Sequence, residues 1–269
     1  MSEPDASFAS EPITPRGVAA FAHARVGRLW LVQLLTATLT AVAVLCFFND
    51  RCVPPVSRAI RNLAGAGEIH CGELVWRGEA PKVLAEERFL AFDVDLNHTG
   101  RIHCPADLQI EFGRDSIRVF SLLGYVDFYY PYNPPERTIP VSREELEPLW
   151  GAWLREIQAG LVAVVVAGLL LWWTLLATLY WLPVWLLGWL AGRELGPGQS
   201  WRLAGASLLP GGLLLALGVF LFDFGALDLI QFGLVFCAHL VLGWVYLFVG
   251  LLFLPHQAPR AVRKNPFEG

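Results

Sequence analysis

The chain has 269 residues, 55% of them hydrophobic and only 16% charged, with a net charge of −4. Soluble domains usually carry about 25% charge, so one water-soluble globule is excluded. A net negative chain also lacks the basic field that holds nucleic acid. The mean hydropathy of +0.49 is concentrated in a few long apolar runs, the pattern expected where lipid is the solvent.

Residues 1–26 are rich in Ser, Pro, Glu and Ala and read as a mobile tail. The first apolar run, Leu29 to Phe48, is long enough to cross a hydrocarbon core of roughly 30 Å, and it places a first span within residues 27–49. Trp30 anchors one end, and Asn49, Asp50 and Arg51 close the other. The long acidic tail and the length of the run favour a retained span over a cleaved signal. Leu45 stands before Cys46 where a lipoprotein site needs a small residue.

Residues 50–155 read as a water-facing α+β domain. Pro54 and Pro55 are expected to break the helix, with a short helix from Val56 to Ala64 after them. Strand signals cover Glu68 to Trp76, Phe89 to Asp95, Leu108 to Phe112 and Ser116 to Leu122. In the third, Leu108, Ile110 and Phe112 alternate with Gln109 and Glu111, the period of a half-buried strand. Gly113-Arg114-Asp115 is a hairpin turn into the fourth. An aromatic and proline stretch from Tyr125 to Pro135 follows. Ser142 with Glu145 fits a capping box for a helix running through Trp150 and Trp153.

Residues 156–255 read as a three-helix membrane bundle. Pro183 is expected to divide the run Ile157 to Leu190 into a span and a Trp-rich interfacial segment near 184–190. The third span runs from Leu203 to Phe222, loosened by Pro210-Gly211-Gly212. After a tight turn at Asp223 to Asp228, with both carboxylates expected in water, the fourth runs from Leu229 to Leu254. A tail, 256–269, ends the chain. The fold class is therefore a membrane α-helical bundle of four transmembrane helices, with a small extracytoplasmic α+β domain inserted between the first and second.

Short cationic flanks are retained in the cytoplasm. Arg25, Arg28, Arg193, Arg202, Arg260, Arg263 and Lys264 lie in such flanks, and the turn at 223–228 has none. Both termini are expected inside and the α+β domain outside. With Arg outnumbering Lys 18 to 2, the reading is a multi-pass protein of a bacterial inner membrane.

Few residues suggest chemistry. Ile-His-Cys occurs at Ile69-His70-Cys71 and Ile102-His103-Cys104, and three readings stay open: a Cys71–Cys104 disulfide, unlinked thiols, or a metal site. Adjacent strand residues point to opposite faces, which disfavours the metal. Asp93, Asp95 and Asn97 open like a calcium loop, but His98 and Cys104 stand where Gly and Glu are required. They read instead as the solvated face of a strand, with Phe92 and Val94 turned inward. Tyr125, Phe128, Tyr129, Tyr130 and Tyr132 form an aromatic cluster that either docks a partner or lipid headgroups, or packs the domain onto the bundle. His239 is the one acidic or basic residue deep in a predicted span. It is expected to serve transport or to hydrogen-bond Gln33 or Thr36 of the first span. No phosphate loop, HExxH, GxSxG or post-strand GxGxxG occurs, so no catalytic residue, cofactor or metal is assigned.

Two segments carry a family likeness. Phe89-Leu-Ala-Phe-Asp-Val-Asp95 enters a turn containing Gly100, and Gly-Pro-Gly-Gln-Ser-Trp-Arg at 196–202 precedes a Pro-containing span. From Val56 to Leu254 the layout resembles bacterial membrane families with one span, an extracytoplasmic α+β domain and a distantly Yip-like helical bundle. That resemblance implies the architecture and no established activity. The expected function is non-enzymatic: the outer domain binds a partner protein or envelope component while the helices anchor it in the lipid bilayer. A second copy of the chain is an alternative partner. The alternative function is a small transport or permease-associated subunit.

Overall fold

The computed structural model describes residues 13–63, 67–102, 104–134 and 136–256. Ala64, His103, Pro135, the first twelve residues and the tail with Arg260, Arg263 and Lys264 lie outside them. Four helices are long and apolar enough to cross a membrane: Val26–Arg61, Arg143–Leu190, Pro197–Asp223 and Leu229–Leu252. The strands all fall between the first and second of these along the chain. The chain divides into two compact units.

Among the described residues, the first unit is helical and holds 13–42, 163–219 and 230–256. It begins with α1 (Pro15–Ala20), in what the composition marks as tail. Thr14 Oγ1 accepts from Gly17 N at 3.1 Å and Pro15 takes the first turn, so the helix starts as capped helices do. Val18, Phe21 and Ala22 are buried against Leu203, Leu247 and Leu251, and Arg202 donates Nε and Nη2 to the Ala22 carbonyl. Apolar burial outweighs the low helix preference of so short a segment.

The helices of this unit are α2 (Val26–Phe47), α4 (Arg143–Leu190), α5 (Pro197–Ser207), α6 (Leu209–Asp223) and α7 (Leu229–Leu252), of which α2, α4 and α6 also run into the second unit, as does the first residue of α7. The α5–α6 pair is the most buried of the four candidate spans. The break at Leu208 falls two residues before Pro210, which sits in the first turn of α6 where its missing N–H costs nothing. Close contact is built from small residues. A side chain at Gly211 would overlap the His239 carbonyl oxygen, and one at Gly212 would press on Trp173 and Thr36. Around this core Leu31, Leu35, Leu171, Leu175, Leu179, Leu234 and Val241 stand exposed, an outward apolar surface that lipid, not water, would solvate.

Pro183 does not divide the second run. Helix α4 continues through it to Leu190. The cost of one missing hydrogen bond is offset in apolar surroundings, where leaving the helix would orphan several backbone groups.

The second unit holds residues 43–162 and 220–229. Here α2 passes through a single π turn, Phe48–Cys52, into α3 (Val53–Arg61). Pro54 and Pro55 do not break the chain's helical course, because they occupy the first turn of α3. Glu68 to Trp76 is two strands, not one: β1 (Gly67–His70) and β2 (Glu73–Val75) turn back on each other at Cys71 and Gly72, both at positive φ. With β8 (Ile139–Val141) they form a small sheet ordered β2-β1-β8.

The larger sheet contains β3 (Lys82–Glu86), β4 (Leu90–Val94), β5 (Leu108–Phe112), β6 (Ser116–Ser121) and β7 (Gly124–Tyr129) in that spatial order. Neighbours are antiparallel except β4 and β5, which run parallel with Leu90 opposite Leu108 and Val94 opposite Phe112. One face carries Leu90, Phe92, Val94, Leu108, Ile110 and Phe112, which form a core with Val56, Ala59 and Leu63 at α3 and with Leu84. Burying such side chains contributes about 1.5–3 kcal/mol each.

One end of this sheet abuts the ends of helices within the same unit. Phe89 meets Phe47 edge to face at 4.8 Å between ring centroids and lies 6.0 Å from Phe222. Arg88 donates to the carbonyls of Gly225 and Leu227, both at 3.0 Å, in the turn between α6 and α7. Asp223 in that turn is not solvated as its position suggests. It is buried, and Arg51 Nε donates to its Oδ1 at 3.1 Å.

Candidate functional site

The second unit offers three features with chemical content: a sealed polar sheet face, an apolar cavity and an aromatic edge.

The polar face follows from register. Asp93 pairs with Glu111 across β4 and β5, and Ala91 with Gln109, so Asp93, Asp95, Gln109 and Glu111 share one side. Period-two alternation assigns that side to water. Instead Asp93 is 0% exposed, Asp95 2% and Glu111 1%. The cause is the 95–107 connection. A parallel pair needs a long crossover, and residues 95–99 of this one fold back over the sheet, tied down by their own hydrogen bonds. Asp95 Oδ2 accepts from Thr99 N at 2.7 Å and Thr99 Oγ1 at 2.6 Å, and Asp95 Oδ1 accepts from Asn97 N at 3.4 Å. His98, at positive φ, places Nδ1 in hydrogen-bond contact with Glu111 Oε1. Gly113 makes room for the imidazole, since a Cβ there would overlap His98 Cε1 and Nε2.

Asp93 is held differently. Gln109 Nε2 donates to its Oδ1 at 2.9 Å, while Oδ2 is buried with no partner. Burial pushes its pKa up to about 7; the Gln109 bond pulls the other way, and the Glu111 and Asp95 charges add to the rise. For Asp95, burial acts upward, but the Thr99, Asn97 and Gly100 hydrogen bonds win and hold it below the usual carboxylate range. Ser116 Oγ lies 3.5 Å from His98 Nε2, completing a hydroxyl–imidazole–carboxylate series with Glu111. Ser116 is buried, however, and its hydroxyl already donates to Asp115 Oδ1 at 3.3 Å, so it does not present a nucleophile to a substrate. The sealed face is a hydrogen-bonded network in which burial raises the Asp93 carboxyl to about 7.

The apolar cavity, about 170 Å³, lies between α3 and the sheets and is lined by Ala59, Ile60, Leu74, Trp76, Phe92 and Leu146 among others. No polar group enters it to orient a ligand.

The aromatic cluster separates into two roles. Tyr130 is half-buried, its hydroxyl donating to the Gly113 carbonyl at 3.2 Å, and burial pushes its pKa up. Tyr125, Phe128, Tyr129 and Tyr132 are each more than half exposed. The first three lie on β7, one of the two edge strands of the five-stranded sheet. Tyr125 and Tyr129 face the side of Phe120 and Ser116, while Val126 and Phe128 continue the other face beyond Val119 and Ile117. Arg118 pairs with Asp127, Nε to Oδ1 at 2.7 Å, and lies 4.6 Å over the Tyr125 ring, which fixes the ring's position. That guanidinium also holds the Asp127 carboxyl below its ordinary range.

Of the remaining candidates, Cys104 lies near enough to the polar face for the Asp93 charge to act on its thiol. Cys71 and Cys104 are unlinked thiols, and burial pushes the Cys104 thiol up to about 11. No group of three His, Cys, Asp or Glu arranged for a metal ion exists among the described residues. His239 is buried in α7 and its Nδ1 contacts the Phe236 carbonyl of its own helix. Gln33 donates instead to the Gly205 carbonyl at 3.3 Å, and Thr36 to the Val32 carbonyl at 3.0 Å. Glu111 and Gln109 carry no sequence signal beyond alternation, and the path of the connection that buries them is invisible to it. Compared with models of protein families, with curated proteins and with solved structures, the chain matches none.

Proposed function

We propose that this chain is a multi-pass, non-enzymatic protein of a bacterial inner membrane, with both termini cytoplasmic, whose extracytoplasmic α+β domain binds a partner protein along β7. The observation that carries this is the edge itself. Six residues, Gly124–Tyr129, leave one side of their backbone outside the sheet and expose Tyr125, Val126, Phe128 and Tyr129. Edge strands are normally protected by Lys, Pro or a bulge, and β7 carries none of these; its one charge, Asp127, is spent on Arg118. Such an edge accepts an added strand, with main-chain bonds giving affinity and aromatic side chains giving selectivity. The orientation is supported by Arg193 and Arg202 on one side and the cation-free 223–228 turn on the other.

The test is photo-crosslinking of the full-length chain in whole cells from an amino acid placed at Phe128. A discrete protein adduct that disappears with Tyr129→Lys supports the reading. No adduct, or one indifferent to Tyr129→Lys, overturns it. A transport role is favoured only by the helix break between α5 and α6. It requires that His239→Leu abolish flux.

A further inference from the structure

The hairpin joining β6 and β7 has a tip that packing within the fold does not explain. Ser121 pairs with Gly124, so the tip is Leu122-Leu123. Two-residue hairpin turns select Asn, Asp or Gly for their backbone angles. Leucine offers neither the angles nor solubility, and Gly124 alone supplies a positive φ. Leu123 is 97% exposed and Leu122 63%, so no packing inside the molecule accounts for them. The seven residues Phe120 to Val126 contain no charge.

Register says where the tip lies. Leu90 is opposite Leu108, and Leu108 opposite Ser121, so the tip extends from the sheet end that carries Arg88 and Phe89. That end is the one bound to Phe47 at the end of α2 and to the α6–α7 turn. These segments close two of the apolar runs, so they mark the level at which lipid gives way to water. Phe224, largely exposed in that turn, belongs to the same level. The opposite end of the sheet carries Gly113, Asp115 and Tyr129.

We infer that Leu122 and Leu123 insert into the bilayer leaflet on the side of the α+β domain, a lipid-binding site separate from the spans, with Tyr125 beside them at headgroup depth. Tyrosine suits that position because its ring is apolar and its hydroxyl is wet. The site takes acyl chains: the tip itself carries no charge, and the Arg118 guanidinium over the Tyr125 ring is paired with Asp127. Its consequence is a sheet held at two points, by the helix ends and by the hairpin, with the far part of β7 left to face water. The inference rests on the membrane reading above.

A genetically encoded diazirine amino acid is placed singly at Leu123, at Tyr132 and at Leu39 in the full-length chain, and adducts formed in native membranes are identified by mass spectrometry. All three positions are exposed on the chain, so the substitutions leave its packing intact. Leu39 reports on lipid around α2. Lipid adducts at Leu123 approaching those at Leu39, and at least about tenfold above those at Tyr132, are expected for two leucines moved from water into acyl chains. Lipid at Leu39 but not at Leu123 overturns the inference and leaves the spans in place. Protein adducts at Leu123 in place of lipid overturn it in favour of a docking surface. Equal lipid labelling at Leu123 and Tyr132 overturns the tip as the site. No lipid at Leu39 overturns the membrane reading itself.

Discussion

Arg51 and Asp223 stand 172 positions apart in the chain, and the guanidinium of the first donates Nε to the carboxylate of the second at 3.1 Å. Arg51 also reaches the Asp223 backbone carbonyl, so both the side chain and the end of α6 depend on it. The Asp223 side chain is almost fully buried while Arg51 is about one-third exposed. Removing the cation strands a buried charge, but solvent at Arg51 screens part of the effect. Arg51→Gln is expected to lower stability by about 1–3 kcal/mol. Adding Asp223→Asn should restore part of the loss, and thermal unfolding of the four proteins in detergent gives the coupling.

Asp93 sets a pH dependence. Its folded pKa of about 7 lies above the ordinary aspartate value of 3.8, so the native state binds the extra proton between those two values. Stabilisation from the protonated carboxyl is complete below about pH 4 and is lost as pH rises through about 7. The slope from one such group is at most about 1.4 kcal/mol per pH unit. Asp93→Asn removes the titration. Melting temperature followed from pH 4 to 8 should fall less steeply in the variant, and an unchanged slope would refute the assignment.

Gly113→Ala should act through His98. The new methyl overlaps the imidazole, which must leave Glu111 and strand a carboxylate whose side chain is 2% exposed. The expected cost is about 1–3 kcal/mol. In a His98→Ala background only the Ser116 carbonyl, 3.0 Å away, remains close, and the same substitution should cost less than half as much. Equal costs in both backgrounds would mean that the Ser116 carbonyl, also close, is the real obstacle.

Two glycines of the helical unit predict opposite outcomes. At Gly211 a Cβ meets the backbone of His239, which cannot rotate away, so Gly211→Ala should cost at least about 1–3 kcal/mol by forcing α6 from α7. At Gly233, within α7, nothing lies within 4 Å. Gly233→Ala should be neutral or stabilising by about 0.5–1 kcal/mol, the ordinary gain from restricting a helical glycine. Unfolding of both variants in one detergent makes the comparison.

What the sequence reveals depends on how local each cause is. Apolar runs of about 20 residues are self-announcing, because the length needed to cross lipid is a property of the run alone. Strand β5 is legible to the residue, since Leu108, Ile110 and Phe112 face a core and alternate with polar neighbours. Strand β7 is not, because an edge with both faces exposed has no alternation to display. Helix α1 is too short for a helical period, although Thr14-Pro15 was a readable start. The buried carboxylates are the instructive failure. Polar residues on alternate positions normally mean water, and only the path of the 95–107 connection reverses that meaning. The aromatic cluster was legible as a group, yet its division into an internal Tyr130 and an outward edge needed the pairing of β6 with β7.

The second unit takes a segment from far along the chain, residues 220–229, into its makeup. As the ribosome works, all eight strands emerge before that segment exists, and further seconds of synthesis separate them at about 5–20 residues per second. Until then Arg51 and Arg88 lack their acceptors and Phe89 lacks one of its aromatic neighbours. The nascent sheet must wait, incompletely closed at one end, for the third apolar helix to be made. An excised fragment of residues 50–155 would remain in that unfinished condition permanently.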